Sequence, residues 1–185
     1  SDAFPLNTPV LFVGEEATKI GQLGGVGTLP DAMVGIFASG VGAMVIVVRV
    51  EANNDESLEL ANVIGGIDQD TSQRTGIEAL LDSQATVKLK PKLLIAPTFT
   101  NEKGVVQALL KIANKLKSIV IAEAPSTTEQ AAVDYANSFD SSRIYMVDPR
   151  VIVTKNGKDV TVTNSPYIAG HIVRIDSQYG WHFSP

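Results

Sequence analysis

Three acidic residues follow apolar runs that are typical of β-strands: Glu51, Glu123 and Asp148. In an open α/β sheet, ligands bind outside the carboxyl ends of the strands. Carboxylates at such an edge hold Mg²⁺ or act as acid and base when other groups complete the site. The alternative interpretation is three solvated loop residues. It is favoured because the sequence reveals no residues that would complete a carboxylate site.

Nucleophilic and zinc-dependent chemistry have few candidate residues in this chain. His171 and His182 are the only histidines, and cysteine is absent. No G-x-S-x-G motif offers a serine to either histidine, and the spacing of the two does not match H-E-x-x-H. Both histidines are therefore interpreted as structural or exposed, and no catalytic residue is predicted.

Two further segments are weak candidates for binding phosphate. The glycine-rich stretch 24–30 opens a predicted helix, but Pro30 occupies the place of the third glycine of the dinucleotide pattern. Lys88, Lys90 and Lys92 alternate around Pro91 and are interpreted as a solubilising edge rather than a phosphate patch. The chain is therefore expected to need no metal and no cofactor.

Composition limits the possible partners. The 185 residues carry a net charge of −5, which argues against a nucleic-acid-binding protein because such proteins present a basic face. No apolar run approaches the roughly 18 residues that a membrane-spanning helix requires. Neither nucleic acid nor a membrane is expected as a partner.

The order of the elements predicts an α/β fold. Residues 92–149 alternate as β-α-β-α-β, which indicates parallel strands joined by helices. Apolar runs at 10–14 and 43–50 are predicted to join the same sheet, with Val45, Ile46, Val47 and Val48 as its most buried strand. Ser126 is predicted to cap the helix after the second of the three later strands. The prediction is a doubly wound, mostly parallel sheet with helices on both faces.

A different pattern follows residue 150. Two β-branched runs flank Asn156-Gly157, which predicts a hairpin with a type I′ turn over 151–163. A helix is predicted over 165–180 because Ser165 and Pro166 favour its start and Gly180 its end. The predicted division is a body domain of residues 1–150 and a hairpin and helix of residues 151–185.

Four segments resemble one protein family, in the same order. They are "VGTLPDAMVGIFASGVGAMVIVVRV", "NVIGGIDQDTSQRTGIEALLDSQ", "PKLLIAPTFT" and "SPYIAGHIVRIDSQYGWHFSP". Together they resemble contractile tail sheath proteins of bacteriophages, with the Mu-like and P2-like myophages as the nearest kin. The resemblance covers nearly the whole chain, although none of its motifs is specific to a chemistry.

The resemblance implies a mechanical function without enzymatic activity. It implies a central domain similar to subtilisin but without the protease triad. Subunits would form hexameric rings around the tail tube protein, above a baseplate, and contract to drive the tube through the host envelope. Assembly would take place in the bacterial cytoplasm, and the product would be the virion tail. A bacteriocin or secretion device of phage origin is an open variant.

The chain departs from the family pattern at both ends. The family carries arms that add strands to neighbouring subunits. Since these arms are missing here, "YGWHFSP" at 179–185 is interpreted as an interior junction of a longer protein. Such a fragment is expected to be monomeric or weakly associated. The alternative hypothesis is a small α/β hydrolase-like or ligand-binding domain with its site at Glu51, Glu123 and Asp148.

Overall fold

The computed structural model describes residues 4–25, 27–155 and 157–182. Seven α-helices, one 3₁₀-helix and seven strands form in these ranges, so the α/β class is confirmed. In chain order they are β1 (Pro9–Val13), α1 (Ala17–Gly21), α2 (Leu29–Phe37), β2 (Met44–Val48), α3 (Glu56–Ile64), a 3₁₀-helix (Gly76–Asp82), α4 (Ser83–Thr86), β3 (Leu93–Leu94), α5 (Lys103–Leu116), β4 (Ile119–Glu123), α6 (Glu129–Asn137), β5 (Ile144–Val147), β6 (Val151–Lys155), β7 (Lys158–Val162) and α7 (Ser165–Tyr179).

The centre of the fold is a parallel sheet in the order β3-β4-β5. Alternate residues of the middle strand face opposite sides, as the strand pleat requires. Val120 and Ala122 pack into a cluster that includes α5, whereas Ile121 packs on the other face with Ala169 of α7. Helices therefore cover both faces of this sheet, as predicted.

Helix α5 supplies most of one covering layer. Its apolar stripe of Val105, Leu109, Ile112 and Leu116 is buried, and it faces the parallel sheet. Lys117 ends the helix in the left-handed conformation, and the chain then turns directly into β4. An amphipathic helix between two parallel strands is thus placed as its periodicity predicts.

The prediction of one continuous sheet is wrong for the first two strands. β1 and β2 pair antiparallel with each other in a separate two-stranded sheet. They share a second core cluster with α2, which contains Phe12, Met33 and Val47. β2 is therefore an edge strand of a two-stranded sheet, not an inner strand of the parallel sheet.

The predicted ranking of buried strands is also wrong. In β2 only Val47 is buried, whereas Val45, Ile46 and Val48 are partly exposed and Met44 is 64% exposed. The most buried strand is β4, in which Val120 to Glu123 are all buried. β4 is the middle strand, so it has a neighbour on each side and a helix layer on each face.

The predicted hairpin is confirmed as β6 paired antiparallel with β7. Asn156, the first residue of its predicted turn, lies outside the described residues, so the turn type stays a prediction. Lys155 at the end of β6 forms an ion pair of 2.5 Å with Asp31 of α2. Residues 151–155 are therefore linked to the body that precedes them.

Helix α7 packs closely against α2. A Cβ atom on Gly170 would lie 2.1 Å from the carbonyl oxygen of Ile36, and one on Gly35 would lie 2.7 Å from Cβ of Pro166. Ser39 Oγ donates a hydrogen bond of 3.0 Å to the carbonyl oxygen of Gly170. Glycine at 35 and 170 is what allows the two backbones to approach so closely.

Two local predictions differ from the structure. Thr128, not Ser126, occupies the cap position of α6, and its side chain accepts a hydrogen bond from the N–H of Ala131. Ser126 Oγ instead donates to Asp148 Oδ1 at 3.2 Å. Strand β3 is only two residues long, from Leu93 to Leu94. Among the described residues, no helix is both long and apolar enough to span a membrane.

Candidate functional site

Glu123 ends β4 with its side chain buried, at 5% exposure. One carboxylate oxygen, Oε1, accepts two hydrogen bonds from Ser165, one from the backbone N–H at 3.0 Å and one from Oγ at 2.6 Å. Ser165 begins α7, where the helix dipole favours a negative charge. The carboxylate therefore holds the start of α7 against the end of the middle strand.

The hydroxyl of Ser165 is not placed as a nucleophile. Ser165 is completely buried, and Glu123 is the acceptor for its Oγ–H. A catalytic serine needs access to substrate and a base that can receive its proton during attack. His171 is exposed on the same helix, six residues further along, and His182 follows the end of that helix. The arrangement fits a structural clamp.

A second buried polar contact supports the same strand end. The N–H of Glu123 donates to Thr100 Oγ1 at 2.9 Å, and the carbonyl oxygen of Thr100 accepts from the Tyr135 hydroxyl at 2.7 Å. Burial first, and then the negative charge of Glu102, raises the pKa of Tyr135 to about 12. The phenol thus remains a hydrogen-bond donor at all physiological pH values, and α6 stays attached to the loop after β3.

The other two predicted carboxylates are exposed, unlike Glu123. Asp148 follows β5, the neighbouring strand, but is exposed and accepts from Ser126. Glu51 follows β2, which belongs to the other sheet, and it is exposed as well. Among the described residues, no group of three histidine, aspartate or glutamate side chains is placed to hold a metal ion.

Two cavities border Glu51. A polar one of about 340 Å³ is lined by residues that include Asn62, Gly66 and Asp68. A more apolar one of about 470 Å³ runs between β2 and the loop after β3. Arg49 lines the second cavity, and its buried Nε has no hydrogen-bond partner among the described atoms. Neither cavity holds a cluster of groups that resembles a catalytic centre.

Asp68 has a local structural role in the polar cavity. Its Oδ1 accepts hydrogen bonds from the N–H groups of Thr71 at 2.8 Å and Asp70 at 2.9 Å. Hydrogen bonds from the backbone and side chain of Thr71, followed by the one from Asp70, lower the pKa of the Asp68 carboxyl. Such bonds favour the charged form and shape the turn of the loop.

The clamp leads to a prediction for two substitutions of Glu123. Glu123→Leu removes the acceptor and leaves two buried donors of Ser165 unpaired, which should cost about 3 kcal/mol of unfolding free energy. Glu123→Gln keeps an acceptor oxygen of the same reach and should cost about 1 kcal/mol. Urea denaturation of the two variants measures the difference. Equal losses would show that the hydrogen bonds to Ser165 do not stabilise the fold.

The structure also brings together basic residues that sequence reasoning did not connect. Lys92 precedes β3, Lys117 precedes β4 and Arg143 precedes β5, so all three lie at the amino edge of the parallel sheet. Backbone hydrogen bonds tie Lys92 and Arg143 to the start of β4, since the carbonyl oxygen of Lys92 accepts from Ile119 N–H and that of Arg143 accepts from Val120 N–H. Their positions in the sequence could have revealed this group. Residues that precede parallel strands meet at one edge of the sheet, just as residues that follow the strands meet at the other.

The comparison with known proteins points to one kind of protein. No protein-family model matches the chain. It is 37% identical over 145 residues, or 77% of its length, to a putative prophage major tail sheath protein of Pseudomonas aeruginosa (strain UCBPP-PA14). It is 28% identical over 98% of its length to the tail sheath protein of Escherichia phage P2, and 29% identical over 98% to the major tail sheath protein of Serratia phage KSP20.

These matches cover part of each relative. The chain spans 37% of the Pseudomonas protein and 47% of each of the two phage proteins, so it corresponds to about half the length of the curated relatives it matches, or less. All three matches are described as tail sheath proteins, and two of them run along nearly the whole chain. The chain is thus a homologue of the tail sheath proteins of phages and of a prophage.

Proposed function

We propose that the chain is the α/β body of a structural subunit of a contractile tail sheath. The observation that carries the proposal is its 37% identity, over 145 residues, to a protein described as a prophage major tail sheath protein. In this function the chain binds other copies of itself in rings around a tail tube. Contraction of the rings then drives the tube through a bacterial envelope.

The state of the carboxylates supports a non-enzymatic role. Glu123, the one buried member of the predicted acidic set, is engaged by Ser165, and Glu51 and Asp148 are exposed on different sheets. We extend the proposal to a body similar to subtilisin that lacks the protease triad. The hydrolase alternative needs a nucleophile with access to substrate, and the Ser165 hydroxyl that contacts Glu123 is completely buried.

The proposed partners follow from a ring around a tube. They are neighbouring copies, the tail tube protein and the baseplate, with assembly in the bacterial cytoplasm before incorporation into a virion tail. The proposed body comprises residues 1–150, and residues 151–185 form a hairpin and helix attached to it. The contact between α7 and α2 supports a second segment that packs on the first.

Electron microscopy tests the proposed function. The full product of the gene that encodes this chain should polymerise into hollow tubes when it is expressed with the tail tube protein of the same source. The 185-residue chain should remain monomeric or weakly associated in sedimentation velocity at micromolar concentration. A full gene product that stays dispersed in the presence of the tube protein would refute the assignment.

A further inference from the structure

Six basic side chains form a surface at the amino edge of the parallel sheet, which we name the basic edge. Its members are Lys88, Lys90, Lys92, Lys115, Lys117 and Arg143. The five lysines are exposed, and Arg143 is partly exposed. Lys88 reaches the carbonyl oxygen of Ala85 and Arg143 reaches that of Ser118, but no member forms an ion pair with a carboxylate of the described residues.

Local structure holds the members of the basic edge together. Ser118 Oγ donates to the carbonyl oxygen of Pro91 at 2.6 Å, which fixes the lysine-rich loop beside the start of β4. Arg143 Nη1 donates to the carbonyl oxygen of Ser118 at 3.3 Å, which brings β5 into the same group. Asp140 is the nearest acidic residue in sequence to Arg143 and is exposed. The edge therefore keeps a large positive charge.

An opposite surface is formed by residues 51–70, which we name the acidic segment. It contains six carboxylates and no lysine or arginine: Glu51, Asp55, Glu56, Glu59, Asp68 and Asp70. None of these forms an ion pair with a described lysine or arginine. Hydrogen bonds within the segment, such as that from the N–H of Leu58 to Asp55, do not neutralise the charge.

The two surfaces lie at opposite ends of α5. At the start of that helix, a Cβ on Gly104 would lie 3.5 Å from Cδ1 of Ile64, the last residue of α3 in the acidic segment. Lys115 lies in the last turn of α5, and Lys117 follows it. The helix has 14 residues and is therefore about 21 Å long at 1.5 Å per residue. One molecule therefore cannot pair its own two surfaces, because the distance exceeds two Debye lengths at physiological salt.

From this geometry we infer that the basic edge of one copy binds the acidic segment of a second copy. The contact joins different surfaces of the two molecules, so it is heterologous and repeats from copy to copy into a ring or a helix. It depends on the proposed self-assembly and assigns residues to one of its contacts. The partner is chosen on charge: the chain itself carries the unpaired carboxylates that would neutralise the basic edge.

Charge reversal and mixing test the contact. The basic-edge variant is Lys90→Glu, Lys92→Glu, Lys115→Glu, which avoids Lys88 and Lys117 because both have positive φ. The acidic-segment variant is Glu51→Lys, Glu56→Lys, Asp70→Lys. In sedimentation velocity at concentrations up to about 1 mM in low salt, wild type should associate. The self-association constant of each variant alone should fall at least tenfold. An equimolar mixture of the two variants should associate again, because opposite charges then face each other.

A matched control separates the contact from total charge. Arg150→Glu, Lys158→Glu, Arg174→Glu changes the net charge as much as the basic-edge variant does, at exposed positions outside the basic edge. The self-association constant of this control should fall by less than threefold. Carbodiimide, which joins an amine to a carboxylate in direct contact, should link mixed isotope-labelled copies between the basic edge and the acidic segment. About 0.5 M salt should weaken both association and cross-linking.

Three results would overturn the inference. The wild-type protein could show neither salt-sensitive association nor cross-links, or the two charge-reversal variants could associate as strongly as wild type does. The third is an equimolar mixture of the two variants that does not regain association. Binding of a DNA duplex that the basic-edge variant abolishes, without self-association, would assign the edge to nucleic acid instead. If the full gene product carrying the basic-edge substitutions still forms normal tubes, this contact is wrong while the sheath function stands.

Discussion

Ile121→Asp is expected to abolish cooperative folding of the chain. Ile121 is completely buried in the middle strand, where it packs with Val147 and Ala169. An unpaired charge at such a position costs about 3–5 kcal/mol, which is a large part of the stability of an ordinary domain. Thermal unfolding followed by circular dichroism should show no sigmoidal transition, and the protein should accumulate as insoluble material.

Ile119→Asp on the same strand is the matched control. Ile119 is 42% exposed, so the carboxylate introduced at this position would remain in contact with water. The free energy of unfolding of this variant should fall by less than about 1 kcal/mol. A soluble Ile121→Asp protein that unfolds cooperatively near the wild-type temperature would contradict the position of β4 at the centre of the sheet.

Gly170→Ala is expected to lower stability by about 3 kcal/mol, although alanine is the better helix former. The new Cβ would lie 2.1 Å from the carbonyl oxygen of Ile36, so α7 would have to move away from α2. Overpacking costs roughly 1–3 kcal/mol and occasionally more, so an approach as short as this one should cost about 4 kcal/mol; after the gain of about 1 kcal/mol in helix propensity, the net loss is about 3 kcal/mol. The midpoint of thermal unfolding should fall by about 6–12 °C for a chain of this length.

Gly104→Ala is the control for this substitution. It is also a helical glycine, but the nearest atom to its new Cβ would be Cδ1 of Ile64 at an ordinary 3.5 Å. Stability should stay constant or rise by up to about 1 kcal/mol. Two variants that behave alike would show that the close approach of α2 and α7 does not exist in solution.

Local pattern was enough to predict the parallel unit of the fold. The apolar residues of α5 recur at helical spacing, and the β-branched runs on either side of it are typical of buried strands. Both patterns lie within a few neighbouring residues, so they predict a helix between two strands without knowledge of the rest of the fold. The hairpin over 151–163 was predictable for a similar reason, since β-branched runs on either side of Asn156-Gly157 favour a turn. The resemblance to sheath proteins was visible in the order of four segments.

Pairing between distant strands was not predictable from local pattern. The run Val45–Val48 looks like a strand buried on both faces, yet it pairs antiparallel with β1 and is only partly covered. Periodicity reports how apolar a strand is, not which strand lies beside it. The same limit explains the cap of α6, where Ser126 and Thr128 are both good candidates and the contact to Asp148 decides between them.

At the candidate site, too, the sequence predicted the local positions of residues but not their long-range contacts. Sequence placed Glu51, Glu123 and Asp148 after strands, and in the structure Glu51 and Asp148 follow β2 and β5, whereas Glu123 is the last residue of β4. It could not show that Glu123 would be buried against Ser165, because the two residues are 42 positions apart. The basic edge was missed for a different reason, since Lys115, Lys117 and Arg143 join the lysine-rich loop only after three strands have aligned.

The contact between α2 and α7 has a consequence for biosynthesis. Ser39 and Gly170 are separated by 131 residues, so the core cluster around α2 keeps an open side until α7 has left the ribosome. Contacts between residues so far apart form slowly, because a long loop must close first. Until then the apolar surface around Ile36 and Phe37 is exposed in the nascent chain, where transiently exposed apolar surface favours aggregation.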